Sequence, residues 1–158
     1  MSDAKLDLSP ELFSQLSALA EEVAAYQSNH YGTYPKERLL AAYALVPAHV
    51  RQLISRSARG LFRGSDLYNN RHNFKDFCSG KTALALSFSP NKGIASVFGE
   101  VMPYRAICES FEGSIDVRRL ARLLGRAKIA HSVGDDEGEV ILLNVKYRQT
   151  MKEGLQGE

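Results

Sequence analysis

Gly60-Leu61-Phe62-Arg63-Gly64 marks the point where the periodicity of this chain changes. Leu61, Phe62 and Arg63 predict a short strand bounded by Gly60 and Gly64, because a brief apolar run between glycines suits an extended segment. Upstream the apolar residues recur at steps of three and four. Ser9, Pro10 and Glu11 form a helix start: a hydroxyl to cap free amides, a proline at the first helical position and an acid in the first turn. Leu12, Leu16, Leu19, Ala20 and Val23 then make one buried stripe of a helix reaching about residue 26. A turn-like stretch over 28–34 ends at Pro35, which opens a second helix through Leu39, Leu40, Tyr43 and Val46, closed by Pro47. A third short helix places Val50, Leu53 and Ile54 on one side and reaches Ser57.

Downstream of Gly60 the pattern is of short extended runs. Residues 83–88 predict a second strand and 102–107 a third, with Pro103 suited to its beginning or to an edge. Between them Ile94, Val97 and Phe98 read as a short helix closed by Gly99. Asp116 caps a helix through Arg126, with Val117, Leu120, Ala121 and Leu124 as its buried face. Residues 140–145 and a weaker run around Tyr147 are the last strands. Three helices followed by a strand-rich half favour an α+β fold over a strictly alternating parallel one.

The chain has 158 residues and 17.5 kDa, enough for a single domain, 1–158, with a helical region of about 1–58 and a strand-rich region of about 59–150. At 44% hydrophobic and 24% charged residues it is expected to fold around one real core. Such a domain buries roughly 70% of the surface its unfolded chain exposes, so it needs neither disulfides nor a structural metal. Cys78 and Cys108 form no zinc pattern and no disulfide framework, and both read as buried thiols. His30, His49 and His72 have no metal-ligand spacing. No run of about eighteen apolar residues and no leader-like N-terminus is present, so a cytoplasmic protein without a membrane partner is expected. A net charge of +2 does not by itself imply nucleic acid. The distribution says more: Arg118, Arg119, Arg122, Arg126 and Lys128 precede an acidic run of Asp135, Asp136, Glu137 and Glu139.

Three segments hold candidate chemistry. Glu137-Gly138-Glu139 runs directly into the apolar strand Val140-Ile141-Leu142. In an extended segment residues i and i+2 share a face, so both carboxylates can enter one site about 7 Å apart along the backbone. Such a pair suits stabilising a cation and taking a proton, although acids before a strand also serve simply as a solvated loop. Arg63, followed by Gly64, makes a reasonable anion site, since guanidinium holds phosphate bidentately and glycine lets a ligand approach the backbone; standing alone it reads first as a surface ion pair. Ser87-Phe88-Ser89 ends a strand ahead of a helix, where hydroxyls hold a carboxylate in place or cap the helix.

Taken in order, arginine on the first strand, Ser-X-Ser on the second and Glu-X-Glu entering a late strand, after an N-terminal helical region, resemble the R-S-E class of mono-ADP-ribosyltransferases. The resemblance covers about residues 26–145 and is strongest to the tailed-phage and bacterial toxin-type enzymes. It implies a two-sheet, mainly antiparallel core binding NAD as substrate in a cleft, with no metal. It assigns Arg63 to the dinucleotide's phosphates, Gly64 to the nicotinamide amide, and Ser87 to steadying the catalytic acid, with Phe88 and Ser89 beside it. Phe98 then stacks on nicotinamide or packs its helix on the core. Glu139 resembles the family's catalytic acid, and Glu137 the residue that orients and deprotonates the acceptor. Glu-X-Glu in this family goes with arginine acceptors, here expected on host bacterial proteins, with transcription or translation components among the candidates. The short chain leaves little room for receptor-binding or translocation domains, so a phage enzyme or a delivered effector domain is expected.

Alternatives stay open. Transfer to RNA or DNA, or plain NAD hydrolysis, would use the same site. Arg118, Arg122 and Arg126 at four-residue spacing can track a phosphate backbone, which would suit a nucleic-acid-binding module without catalysis, or can be the solvated side of an amphipathic helix. Tyr26, Tyr31 and Tyr34 belong to either cleft or core. His131 and Ser132 are adjacent, but no nucleophile elbow accompanies them.

Overall fold

The computed structural model describes residues 8–28, 33–65, 80–97, 99–135 and 138–149. Three helices come first: α1 (Pro10–Gln27), α2 (Glu37–Leu45) and α3 (Ala48–Ile54). Then follow β1 (Phe62–Ser65), β2 (Thr82–Phe88), α4 (Lys92–Ser96), β3 (Glu100–Pro103), α5 (Tyr104–Ile107), β4 (Cys108–Ser110), β5 (Gly113–Asp116), α6 (Val117–Arg126) and β6 (Val140–Tyr147). The α+β expectation holds, and both sheets are antiparallel.

The caps act as the sequence predicts. Ser9 Oγ accepts from Leu12 N at 3.0 Å, and Asp116 accepts from Arg119 N at 3.2 Å, each satisfying an amide that the first helical turn leaves free. Helix α1 buries Leu12, Leu16, Leu19, Ala20 and Val23, the stripe read from the sequence.

β1 pairs with β3 in a two-stranded sheet. The larger sheet is organised by β6, which pairs with β2 along one edge and with β5 and β4 along the other. The large sheet is covered on both faces. On one side α1, α2, α3 and α6 bury Leu16, Leu39, Ile54 and Leu120 against Ala85, Ile115, Ile141 and Leu143. On the other, Leu61, Met102 and Ile107 pack against Leu86, Phe88, Val140 and Leu142. A strand buried on both faces has no polar side to display, which is why β6 opens with an unbroken apolar run. Asn144 in β6 adopts a φ of 50°, and the alternation changes phase there, so Val145 and Tyr147 share a core with Val140 and Leu142.

Four local expectations are corrected. The run 102–107 is not one strand: β3 ends at Pro103, and Tyr104–Ile107 closes a single helical turn that buries Ala106 and Ile107. Proline lacks the amide needed to continue the ladder, so pairing stops there. Leu53 is 52% exposed, because Val50 and Ile54, one turn apart, already take the short buried face of α3. Val97 is 79% exposed and Ala95 is the buried residue of α4, which ends at Ser96 before Val97 can join its face. In α6 the fourth buried residue is Leu123 and not Ala121. The strands β4 and β5, unread in the sequence, complete the second edge of β6. Cys108 is a buried free thiol, while Cys78 lies outside the described residues.

Candidate functional site

A backbone bridge joins the two sheets. Phe62 at the start of β1 and Ser89 just after β2 exchange both backbone hydrogen bonds, each 2.8 Å. The bridge sets Arg63 beside the end of β2, where its guanidinium (Nη1) donates to the Ser87 carbonyl at 2.9 Å. Ser87 lies opposite Ile141 on β6, so its hydroxyl faces the residue entering that strand. Ser87 Oγ donates to Glu139 Oε2 at 2.5 Å. The backbone of Glu139 is held as well, its carbonyl accepting from Val117 N, the first residue of α6, at 3.0 Å. The preceding Gly138 has a φ of 62°, a left-handed conformation that glycine adopts without a Cβ penalty, and this turn aims the chain into β6.

Helix α1 reaches the same place from the helical side. The Tyr26 hydroxyl lies 2.7 Å from Ser87 Oγ, and Gln27 Nε2 donates to Glu139 Oε1 at 2.8 Å. Gln27 also exchanges two bonds with Gly134, donating to its carbonyl at 2.7 Å and accepting from its amide at 2.9 Å. Both carboxylate oxygens of Glu139 are therefore occupied, one by a strand hydroxyl and the other by a helix amide. Burial raises the Tyr26 hydroxyl above its ordinary value; its bond to Ser87 opposes this, Glu139's charge adds to it and Arg63 works against it.

These groups border a cavity of about 770 Å³ whose walls include α1, β1, β2, α4 and the segment before β6. Lys36, just ahead of α2, lies in the same wall and donates to the Ala85 carbonyl at 3.3 Å. Burial lowers its ammonium below the usual lysine range, and the positive charge of Arg63 lowers it further. Two cations are thus held near one another, and the Nε of Arg63 is buried without a hydrogen-bond partner among the described residues. Such a pair is relieved by an anion, so the cavity offers an anion-binding side at Arg63 and Lys36 and a fixed carboxylate at Glu139. Among the described residues no group of three or more histidine, cysteine or acidic side chains is placed to hold a metal. No helix among them is long and apolar enough to cross a membrane.

Of the residues singled out from sequence, Arg63, Gly64, Ser87, Phe88, Ser89 and Glu139 all border this cavity. Their parts differ. Phe88 is buried in the core, its ring 5.9 Å from that of Tyr104 in an edge-on contact, and Ser89 Oγ accepts from Asn91 N at 3.1 Å. Capping of α4 falls to Asn91, which accepts from Ile94 N at 3.2 Å, so of the Ser-X-Ser hydroxyls Ser87 is the one bonded to the acid. Glu137 and Phe98 lie outside the described residues. Tyr26, left between cleft and core, belongs to both, and Tyr34 packs edge-on against it while donating to Glu22 at 2.6 Å.

Gln27 and Lys36 were not anticipated. For Gln27 a signal existed: it falls one step beyond Leu16, Leu19 and Val23 on the buried stripe of α1, where a polar side chain needs a partner. For Lys36 the sequence holds no comparable sign. Compared with known proteins, the chain matches no family model, no curated protein and no solved structure.

Proposed function

We propose that the cavity takes NAD and that the chain is a mono-ADP-ribosyltransferase, moving ADP-ribose onto arginine side chains of proteins with release of nicotinamide. The observation that carries this reading is the convergence of Arg63 on β1, Ser87 on β2 and Glu139 just ahead of β6, far apart in sequence, on one cavity through direct hydrogen bonds. The order of those residues suggested the family; their meeting in space is what the reading requires.

In this reading Arg63 and Lys36 meet the negative charge of the diphosphate, and Glu139 accepts from a ribose hydroxyl while its charge faces the ribose carbon. The bond from that carbon to nicotinamide breaks with its electron pair leaving on the nicotinamide nitrogen. Positive charge develops on the ribose, and a fixed anion beside it contributes about 3 to 4 kcal/mol in comparable sites. A nitrogen of the acceptor guanidinium then bonds to the ribose carbon and loses a proton, the step the resemblance gives to Glu137. Ser87 and Gln27 keep the carboxylate from turning away from the reacting carbon.

The test is incubation of the purified protein, and of its Glu139→Gln variant, with labelled NAD and bacterial lysate. Protein and nucleic acid are separated before counting, and the modified residue is mapped. Label on protein arginines that the variant does not add is the expected result. Absence of both label and nicotinamide release from folded protein overturns the reading.

A second acceptor class has one observation in its favour. Arg118, Arg122 and Arg126 are exposed along α6, and the latter two form no ion pair among the described residues. Arg118 lies against the Gly138 turn, donating to the Asp135 carbonyl at 3.2 Å. A phosphodiester backbone lying along this helix would arrive beside Glu139, and label recovered in RNA or DNA is the outcome that supports it.

A further inference from the structure

We infer that Gln27 is a positioning residue for Glu139: it ties the acid to the cavity wall at Gly134 and thereby sets where the carboxylate stands. The role rests on the function proposed above, but the contact on which it depends is independent of that function.

The chemistry of the contact selects the residue type. Gly134 presents its carbonyl and its amide to the same side chain, 2.7 Å and 2.9 Å away, and Glu139 presents a carboxylate oxygen at 2.8 Å. One partner needs an acceptor and two need donors. A primary amide supplies one carbonyl and two N–H groups, and here all three are used. A carboxylate cannot donate, an ammonium cannot accept, and an aliphatic side chain does neither. The bond from the Gly134 amide also fixes which end of the Gln27 amide is oxygen, so its nitrogen is the atom that faces Glu139.

The mounting is rigid. Gln27 is the last residue of α1, whose final turn is closed by Ser28 N donating to the Ala24 carbonyl at 3.0 Å. Its neighbour Tyr26 is half-buried and bonded to Ser87, and Val23 one turn back is fully buried. The amide therefore stands on the helical layer, while Ser87, the second group on the carboxylate, stands on β2. With one oxygen held from each layer, rotation of the carboxylate breaks at least one bond. Gly134 borders the cavity itself, so the clamp also sets the distance between the acid and the wall beside it.

The test uses Gln27→Met, which keeps the length and loses every bond, and Gln27→Glu, which keeps the shape and loses both donors. Exchange of the Gly134 amide hydrogen, followed by NMR, reads the clamp directly, and the carboxyl carbon resonance of Glu139 reads its reach to the acid. Thermal unfolding and near-ultraviolet circular dichroism verify that both variants fold. Faster Gly134 exchange and a displaced Glu139 resonance in Gln27→Met are expected. With them, nicotinamide release should fall about 10- to 100-fold in kcat, while KM for NAD changes less than about threefold, because a misplaced group costs rate more than binding. Gln27→Glu should fall at least as far, since it sets a second carboxylate against Glu139. Unchanged exchange, or an unmoved Glu139 resonance, overturns the inference, as does altered exchange with undiminished kcat. A wild-type protein that releases no nicotinamide refutes the proposed function instead, and the two NMR readouts then decide the clamp alone.

Discussion

Glu139→Gln is the perturbation that separates chemistry from folding at this site. In the wild-type protein Gln27 Nε2 donates to one carboxylate oxygen at 2.8 Å and Ser87 Oγ donates to the other at 2.5 Å. An amide at position 139 keeps one oxygen and replaces the other with two N–H groups. Its oxygen fits against Gln27, which presents only N–H there. Its nitrogen then faces Ser87, and a serine hydroxyl can accept as well as donate. Ser87 turns its proton to the Tyr26 hydroxyl, 2.7 Å away, and the chain of bonds runs in the opposite direction, with the Tyr26 proton turned out toward the cavity it borders. The cost to the fold is the difference between charge-assisted and neutral hydrogen bonds, about 1 kcal/mol. That moves the unfolding midpoint of a domain this size by roughly 2 to 4 °C. The cost to catalysis is loss of the fixed anion, about 3 to 4 kcal/mol, which is about a 10²- to 10³-fold fall in rate. Nicotinamide release at saturating NAD, measured beside thermal unfolding, reads both quantities. A variant that retains a tenth or more of wild-type turnover refutes the role of the charge. A midpoint lowered by more than about 10 °C refutes the reversal of the bond chain.

Other outcomes follow from neighbouring features. Lys36 is more acidic in the folded chain than its ordinary value of 10.5, because burial and then Arg63 disfavour its charge, so the folded state binds fewer protons than the unfolded state between the two values. Its burden on stability is therefore greatest below the folded value and is relieved as pH rises toward 10.5; Lys36→Met should raise the unfolding midpoint at pH 7, with a gain that shrinks at alkaline pH, and should raise KM for NAD. A gain that grows with pH would refute the assignment. Gly138→Ala meets no close contact, its Cβ lying 3.5 Å from the Arg118 guanidinium carbon, but forces a side chain into the left-handed region at φ 62°, at a cost of about 1 to 2 kcal/mol. A urea midpoint equal to wild type would show that the turn relaxes. Burial, the largest cause, pushes the Cys108 thiol up to about 12, so peptide mapping after maleimide treatment should find it unlabelled until the protein unfolds.

Much of the architecture could be read from local pattern because the pattern and the environment agree. Ser9-Pro10-Glu11 starts a helix by its own chemistry, and the stripe that follows meets a sheet whichever way the chain turns. The run 102–107 misleads because it is apolar except at Arg105 and its break depends on one proline; strand and helical turn are equally compatible with four buried residues. Leu53 and Val97 mislead for a different reason, since a short helix has fewer buried positions than apolar residues to fill them. Among site residues, Arg63, Ser87 and Glu139 stand at strand ends, where sequence pattern exposes them. Lys36 and Gln27 act by docking helices onto distant strands. Gln27 meets Glu139 across 112 residues, and no local window contains that relation.

The same span governs when the site comes into being. A chain is made from its N-terminus, and α1 with Gln27 is present long before the acid it grips. Ser87 cannot face Glu139 until β6 has paired with β2, and β6 extends to Tyr147. Closing contacts this far apart in sequence is the slow part of folding. A nascent or interrupted chain can therefore hold the early helices and Arg63 while lacking the assembled carboxylate, and any activity of this site begins only once β6 has been made.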